Sequence, residues 1–163
     1  MNAGPAVSGV RLYAEDLRPG AVFDLGSAKV SKEEILGFGR RFDPLPLHTD
    51  EDAAAASRFR GLIASGFHTV AVLQRLLVDA VLSRAAVIAG REISSLRMRA
   101  PVRPGDVLRG TMEILEVRPR DDGTAVVRSR GALTNGSGTL VLELQGETLW
   151  EHRPPGGREG GVV

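Results

Sequence analysis

The spacing of apolar residues changes along the chain, from a period of about 3.6 in the first half to about 2 in the second. Residues 21–30 carry Val22, Phe23, Leu25 and Val30 behind the turn signal Leu17-Arg18-Pro19-Gly20 and read as a short strand, with Gly26 as its weak point. Ser31-Lys32-Glu33-Glu34 is a capping box that starts a helix over residues 32–41. Asp43-Pro44 stops it, because the residue before a proline is pushed out of the α region. Thr49 is placed to cap a short helix over residues 50–56, whose first turn holds Asp50, Glu51 and Asp52 where the dipole favours negative charge. Residues 66–83 give the main helix; Phe67, Val70, Leu73, Leu76, Leu77 and Val81 spread round its circumference, which predicts a helix enclosed by the domain.

Beyond that helix apolar and polar residues alternate. In a strand over residues 93–102, Leu96, Met98 and Ala100 share one face, and Ser95, Arg97 and Arg99 the other. Three more strands, over residues 107–117, 125–134 and 140–150, are separated by turn chemistry at 119–123 and at Asn135-Gly136-Ser137-Gly138. One strand, then helices with an embedded loop, then four consecutive strands is the order of an α+β protein with an antiparallel sheet. Strands of about ten residues, longer than the usual five or six, suit a curved sheet wrapped round a long central element. The domain is expected over residues 17–152, with a flexible lead over 1–16 and a glycine-rich, disordered tail over 153–163.

Composition narrows the function classes. The chain has 163 residues, enough for one domain with a real core. Its 21 basic and 20 acidic residues nearly cancel, so a nucleic-acid partner held by charge is not expected. Cysteine is absent, which removes disulfides, thiolate metal sites and thiol nucleophiles. His48, His68 and His152 lack metal-ligand spacing, so no metal is expected. No apolar run approaches the roughly 20 residues of a membrane span, and the first nine residues lack the pattern of a signal peptide; a cytoplasmic location is expected. All cations but Lys29 and Lys32 are arginines, whose planar fork suits phosphate and carboxylate.

Candidate chemistry concentrates in Phe42-Asp43-Pro44-Leu45-Pro46-Leu47-His48 and in Gly61-Leu62-Ile63-Ala64-Ser65-Gly66-Phe67-His68. Asp43 and His48 stand five positions apart on a proline-stiffened loop that can fold both side chains to one point. Imidazole titrates near neutrality and can take and return protons, while a carboxylate beside it orients it or shares a water with it. The plainer alternative is that Asp43 only ends a helix and His48 is a polar loop residue. Gly66 opens the main helix, where free N–H groups and the dipole can stabilise a carbonyl oxygen gaining charge, or it merely permits a tight helix start. Ser65 is a polar neighbour, and His68 reads as a packed structural residue. Arg58, Arg60, Arg97, Arg99 and Arg103 are candidates for phosphate contacts or for surface ion pairs. Neither a nucleotide-binding glycine motif nor a G-x-S-x-G elbow is present.

Those two segments, followed by Pro101-Val102-Arg103-Pro104-Gly105-Asp106, resemble the MaoC-like dehydratase family in residues and in order, over roughly residues 17–151. The resemblance implies a hot-dog fold, two subunits joined edge to edge as a homodimer or a higher oligomer, and active sites at their interface. The family motif reads D-x-N-P-x-H; Asp43, Pro46 and His48 match it, and Leu45 replaces the asparagine. Gln74 stands where short-chain hydratases carry a serine, and Arg60 where glycine is common. The implied activity is reversible hydration of a trans-2-enoyl thioester, carried by CoA or an acyl carrier protein, to the (R)-3-hydroxyacyl thioester. Asp43 and His48 would be catalytic, Gly66 and Ser65 would form the oxyanion and substrate-binding site, and Arg97, Arg99 and Arg103 would meet CoA phosphates. No cofactor is implied. Two alternatives are a hot-dog thioesterase and a non-catalytic acyl-thioester binding subunit.

Overall fold

A computed structural model describes residues 11–156 of the chain. Its strands are β1 (Val22–Lys29), β2 (Val87–Met98), β3 (Val107–Pro119), β4 (Thr124–Thr134) and β5 (Leu140–Glu151). The helices are α1 (Lys32–Phe42), α2 (Pro46–Thr49), α3 (Glu51–Ala56) and α4 (Gly66–Ala80). The strands form one antiparallel sheet in the order β1-β3-β4-β5-β2, which leaves β1 and β2 as its two edges. Leu73 and Leu76 of α4 pack on the sheet with Leu108, Met112, Ile114, Val127, Leu133, Leu142 and Trp150. A sheet curled round a long helix is the hot-dog architecture expected from the sequence.

Close approach of helix and sheet depends on two glycines. A Cβ on Gly131 of β4 would lie 2.9 Å from Leu73 Cδ2, and one on Gly110 of β3 would lie 3.1 Å from Leu76 Cδ1. Burial of Trp150 is made affordable by its Nε1–H, which donates to Thr148 Oγ1 at 2.8 Å. The outer face of the sheet carries cross-strand ion pairs. Arg130 pairs with Glu113, Arg128 with Glu116 at 3.3 Å, and Arg118 with Glu147 at 2.5 Å. Such exposed pairs add little stability, but they balance the arginines with acids on the same surface.

Several expectations change. The sheet covers only one side of α4: Phe67, Ala71, Gln74 and Val78 remain exposed along the other, so a single chain does not enclose its helix. The helix ends at Ala80 instead of residue 83, because Val81 turns inward to full burial and Leu82–Arg84 tightens into a 3₁₀ turn. Strand β2 begins at Val87, six residues before the expected start at 93, and ends at Met98. Its first part, Val87-Ile88-Ala89-Gly90-Arg91-Glu92, lacks alternation, and three register shifts against β5 break the regular pattern. Asp50, and not Thr49, caps α3: its Oδ1 accepts the Ala53 N–H at 2.9 Å, while the Thr49 hydroxyl donates to Leu45 O at 3.0 Å.

Contacts at both ends reach past the expected limits of 17 and 152. Leu12 is buried and bonds to Arg84 O and Ala86 N. The Asp16 carboxylate receives two hydrogen bonds from the Arg153 guanidinium, at 2.5 and 2.6 Å, and that guanidinium also lies over the Tyr13 ring. Residues 1–10 of the expected lead and 157–163 of the expected tail fall outside those described. Among the described residues, no helix is long and apolar enough to cross a membrane.

Candidate active site

The capping box holds as expected: Ser31 Oγ accepts the Glu34 N–H at 3.1 Å, and Glu34 accepts the Ser31 N–H at 2.7 Å. Helix α1 then runs to Phe42 and leaves Asp43 as its C-cap residue. The segment that follows is not the open loop expected. Pro46 occupies the first position of the one-turn helix α2, where its missing N–H costs nothing, and His48 lies within that turn. Gly39 on α1 permits the arrangement, since a Cβ there would sit 2.6 Å from His48 O and 3.0 Å from His48 Cβ. Nothing in the spacing of apolar residues marked Gly39 as part of the site; a glycine inside a strong helix pattern is the only available signal.

His48 is buried and held from both sides. Its Nδ1 is 2.8 Å from Ile63 O, and the Ile63 N–H bonds back to Leu47 O at 3.2 Å. A backbone carbonyl can only accept, so Nδ1 carries the hydrogen and the neutral ring presents a bare lone pair at Nε2. That lone pair lies 3.5 Å from Asp43 Oδ2. The two sequence candidates therefore meet. Two acceptors face each other there, and a molecule with two hydrogens to give, such as water, satisfies both. When the ring takes a proton, the same contact becomes an ion pair with the carboxylate.

Ser65 is buried, caps α4 by accepting the Phe67 N–H at 3.2 Å, and gives its own hydrogen to Asp43 Oδ2 at 2.6 Å. The hydroxyl expected beside the substrate is thus spent on the carboxylate. Gly66 follows, and among the described residues no acceptor takes its N–H. Its φ is not in the left-handed region, so the need for glycine is not conformational. A Cβ there would fall inside the Met98 thioether, which packs directly against the helix start.

A cleft of about 380 Å³ is lined by His48, Gly66, Thr69, Met98, Arg99 and Val102, among others, with Phe59 at its rim. Asp43 is not part of its wall; a quarter of the Asp43 side chain is exposed, and Phe42, Leu45 and Phe67 are exposed as well. A second, more apolar cavity of about 350 Å³ lies along α4 beside Val70, Gln74 and Leu77 and reaches Trp150.

The arginines divide. Arg99 lines the cleft and lies 3.6 Å from Glu143. Arg97 is exposed, opposite Glu143 in the β2–β5 register. Arg103 donates to Phe59 O at 2.7 Å and fastens the rim loop. In that loop Arg60 adopts φ 52°, the one non-glycine positive φ among the described residues.

His68 fills the structural role expected for it, with one cost. It is buried and stacked on Phe38 with ring centroids 4.9 Å apart, and its Nδ1 finds no hydrogen-bond partner among the described residues. Burial pushes its affinity for a proton below the ordinary imidazole value, partly offset by the nearby Glu34 carboxylate.

Fold and site together define a hot-dog protein with a carboxylate–imidazole pair set beside the free N–H of a helix start. The sequence matches the MaoC like domain over residues 16–136, and the chain belongs to that family. A 3-hydroxybutyryl-CoA dehydratase from Methylorubrum extorquens is 32% identical over 139 residues, covering 85% of this chain and 82% of that protein. The crystal structure of a MaoC-like dehydratase from Rhodospirillum rubrum superposes with a TM-score of 0.82 at 36% identity, covering 88% of this chain and 99% of the other. The C-terminally truncated HadBC complex, a (3R)-hydroxyacyl-ACP dehydratase from Mycobacterium tuberculosis, superposes with a TM-score of 0.64 at 25% identity, covering 80% and 96%.

Proposed function

We propose that the chain is a hydro-lyase that adds water to a trans-2-enoyl thioester, or removes it from the (R)-3-hydroxyacyl thioester. The observation that carries this reading is the bare Nε2 of His48, fixed by the Nδ1 bond to Ile63 O and facing Asp43 at 3.5 Å, on a cleft that Gly66 also lines. In the hydration direction Nε2 takes a proton from water and the oxygen bonds to Cβ. The π electrons move through Cα to the thioester oxygen, where the Gly66 N–H meets the developing charge. One such donor is typically worth about 2.7–4 kcal/mol in the transition state. The proton then returns from the imidazolium to Cα by way of Asp43, so that water is added with no net proton gained or lost.

The acyl chain is assigned to the apolar cavity along α4, and Arg97 and Arg99 to the phosphates of a CoA carrier. Arg103, fastened to Phe59 O, would meet them only from the rim. A second copy of the chain fits the bare side of α4 and the free β2 edge, where Ile88, Ile93 and Met98 are exposed, and a homodimer is the assembly this supports. Loss of enoyl absorbance across a series of trans-2-enoyl-CoA chain lengths tests the reading, with chiral analysis of the product. Formation of the (R)-alcohol supports it; release of free CoA without hydration would make the chain a thioesterase.

A further inference from the structure

The start of α4 serves two anions, and Ser65 is what separates them. Its Oγ accepts the Phe67 N–H at 3.2 Å and has one hydrogen, which goes to Asp43 Oδ2 at 2.6 Å. An amide N–H can only donate, so the direction of this chain is fixed, from amide to hydroxyl to carboxylate, and each bond polarises the next. The same carboxylate oxygen is the one 3.5 Å from His48 Nε2. We propose that Ser65 is a positioning residue: it locks Asp43 Oδ2 opposite His48 and leaves the Gly66 N–H free for the substrate oxygen. One residue then sets the geometry between proton carrier and oxyanion donor, although Asp43 and Ser65 are 22 positions apart and cap the ends of different helices.

Burial makes this rigid. Ser65 is 1% exposed, whereas the Asp43 side chain keeps a quarter of its surface open and has one end of a helix as its support. Without the Ser65 hydroxyl, Asp43 has free rotamers toward solvent, and an acid–base group displaced by about 1 Å can cost on the order of 10²-fold in rate. Substrate affinity is not carried by Asp43, so the loss belongs in kcat.

The inference rests on the hydro-lyase reading, and the test separates the two. Ser65→Gly removes the hydroxyl but keeps a residue that caps helices almost as well, and Ser65→Thr restores the hydroxyl. Hydration of crotonyl-CoA by the full chain should show kcat about 10- to 100-fold lower in Ser65→Gly, with KM within about twofold of wild type. Part of the lost kcat returns in Ser65→Thr. Wild-type kcat in Ser65→Gly overturns the proposal, and so does a loss confined to KM. Should the unmutated chain hydrate no enoyl thioester, the functional reading fails by itself, and NMR then decides the role of Ser65. Its hydroxyl proton should appear as a slowly exchanging resonance that vanishes in Asp43→Ala and persists in His48→Gln. Persistence in Asp43→Ala overturns the positioning role.

Discussion

Gly37 and Gly39 lie two residues apart on α1, and substituting each by alanine should move stability in opposite directions. An interior helical glycine costs about 0.5–1 kcal/mol relative to alanine, because glycine gives up more backbone freedom on folding. Gly37 is exposed, and an added Cβ there meets nothing within 4 Å, so Gly37→Ala should gain about that amount. At Gly39 the same Cβ would sit 2.6 Å from His48 O and 3.0 Å from His48 Cβ. Those are backbone and near-backbone atoms that no rotamer change can move, so α1 and α2 must separate by several tenths of an ångström. Overpacking of this kind typically costs about 1–3 kcal/mol, which outweighs the propensity gain. The shift also carries His48 away from Asp43, so kcat/KM for crotonyl-CoA should fall by about 10- to 100-fold in Gly39→Ala and stay unchanged in Gly37→Ala. Urea denaturation and steady-state kinetics on the two variants measure both halves. Equal stabilisation with full activity in both would refute the claim that α1 seats the histidine.

Two further outcomes follow from strain and burial. Arg60 holds φ 52° at an exposed position, so Arg60→Gly should raise the urea midpoint by about 0.5–1 kcal/mol equivalent; no change or a loss would remove the strain argument. His68 binds a proton less readily folded than unfolded, because burial disfavours the charged ring. Below about pH 6.5 the unfolded chain therefore holds more protons, and stability should decline from there down through the lowered folded value while staying flat above. Urea midpoints between pH 8 and 5 should show that decline at this site in wild type and lose that part of it in His68→Phe. An identical slope in the variant would assign the effect elsewhere.

Local signals were the ones the sequence carried well. The Ser31–Glu34 box, the stop at Asp43-Pro44 and the helix start at Gly66 all depend on residues within four positions of one another, and each is where the pattern puts it. Alternation located β3, β4 and β5 to within two residues at each end. What escaped was non-local. The Asp16–Arg153 pair joins residues 137 apart, and no periodicity links them. Strand β2 starts in a stretch whose only strand signal is its partner β5. The proximity of Asp43 to His48 was legible as a possibility, and family resemblance raised it above a plain loop. The bond from Ser65 that orients Asp43 and the glycine that seats His48 emerge only when α1, α2 and α4 are packed together. The exposed side of α4 was hidden for a related reason: a helix apolar all round reads as enclosed whether its own sheet or a second chain covers it.

Under the proposed function, Asp43 and His48 form one acid–base unit for water addition to an enoyl thioester. Crotonyl-CoA hydration by wild type, Asp43→Asn and His48→Gln, with melting temperature and oligomeric state recorded for each, tests it most directly. Wild type should hydrate the substrate, and either variant should lose at least about 10²-fold in kcat while staying folded. Full hydration by both folded variants would contradict it.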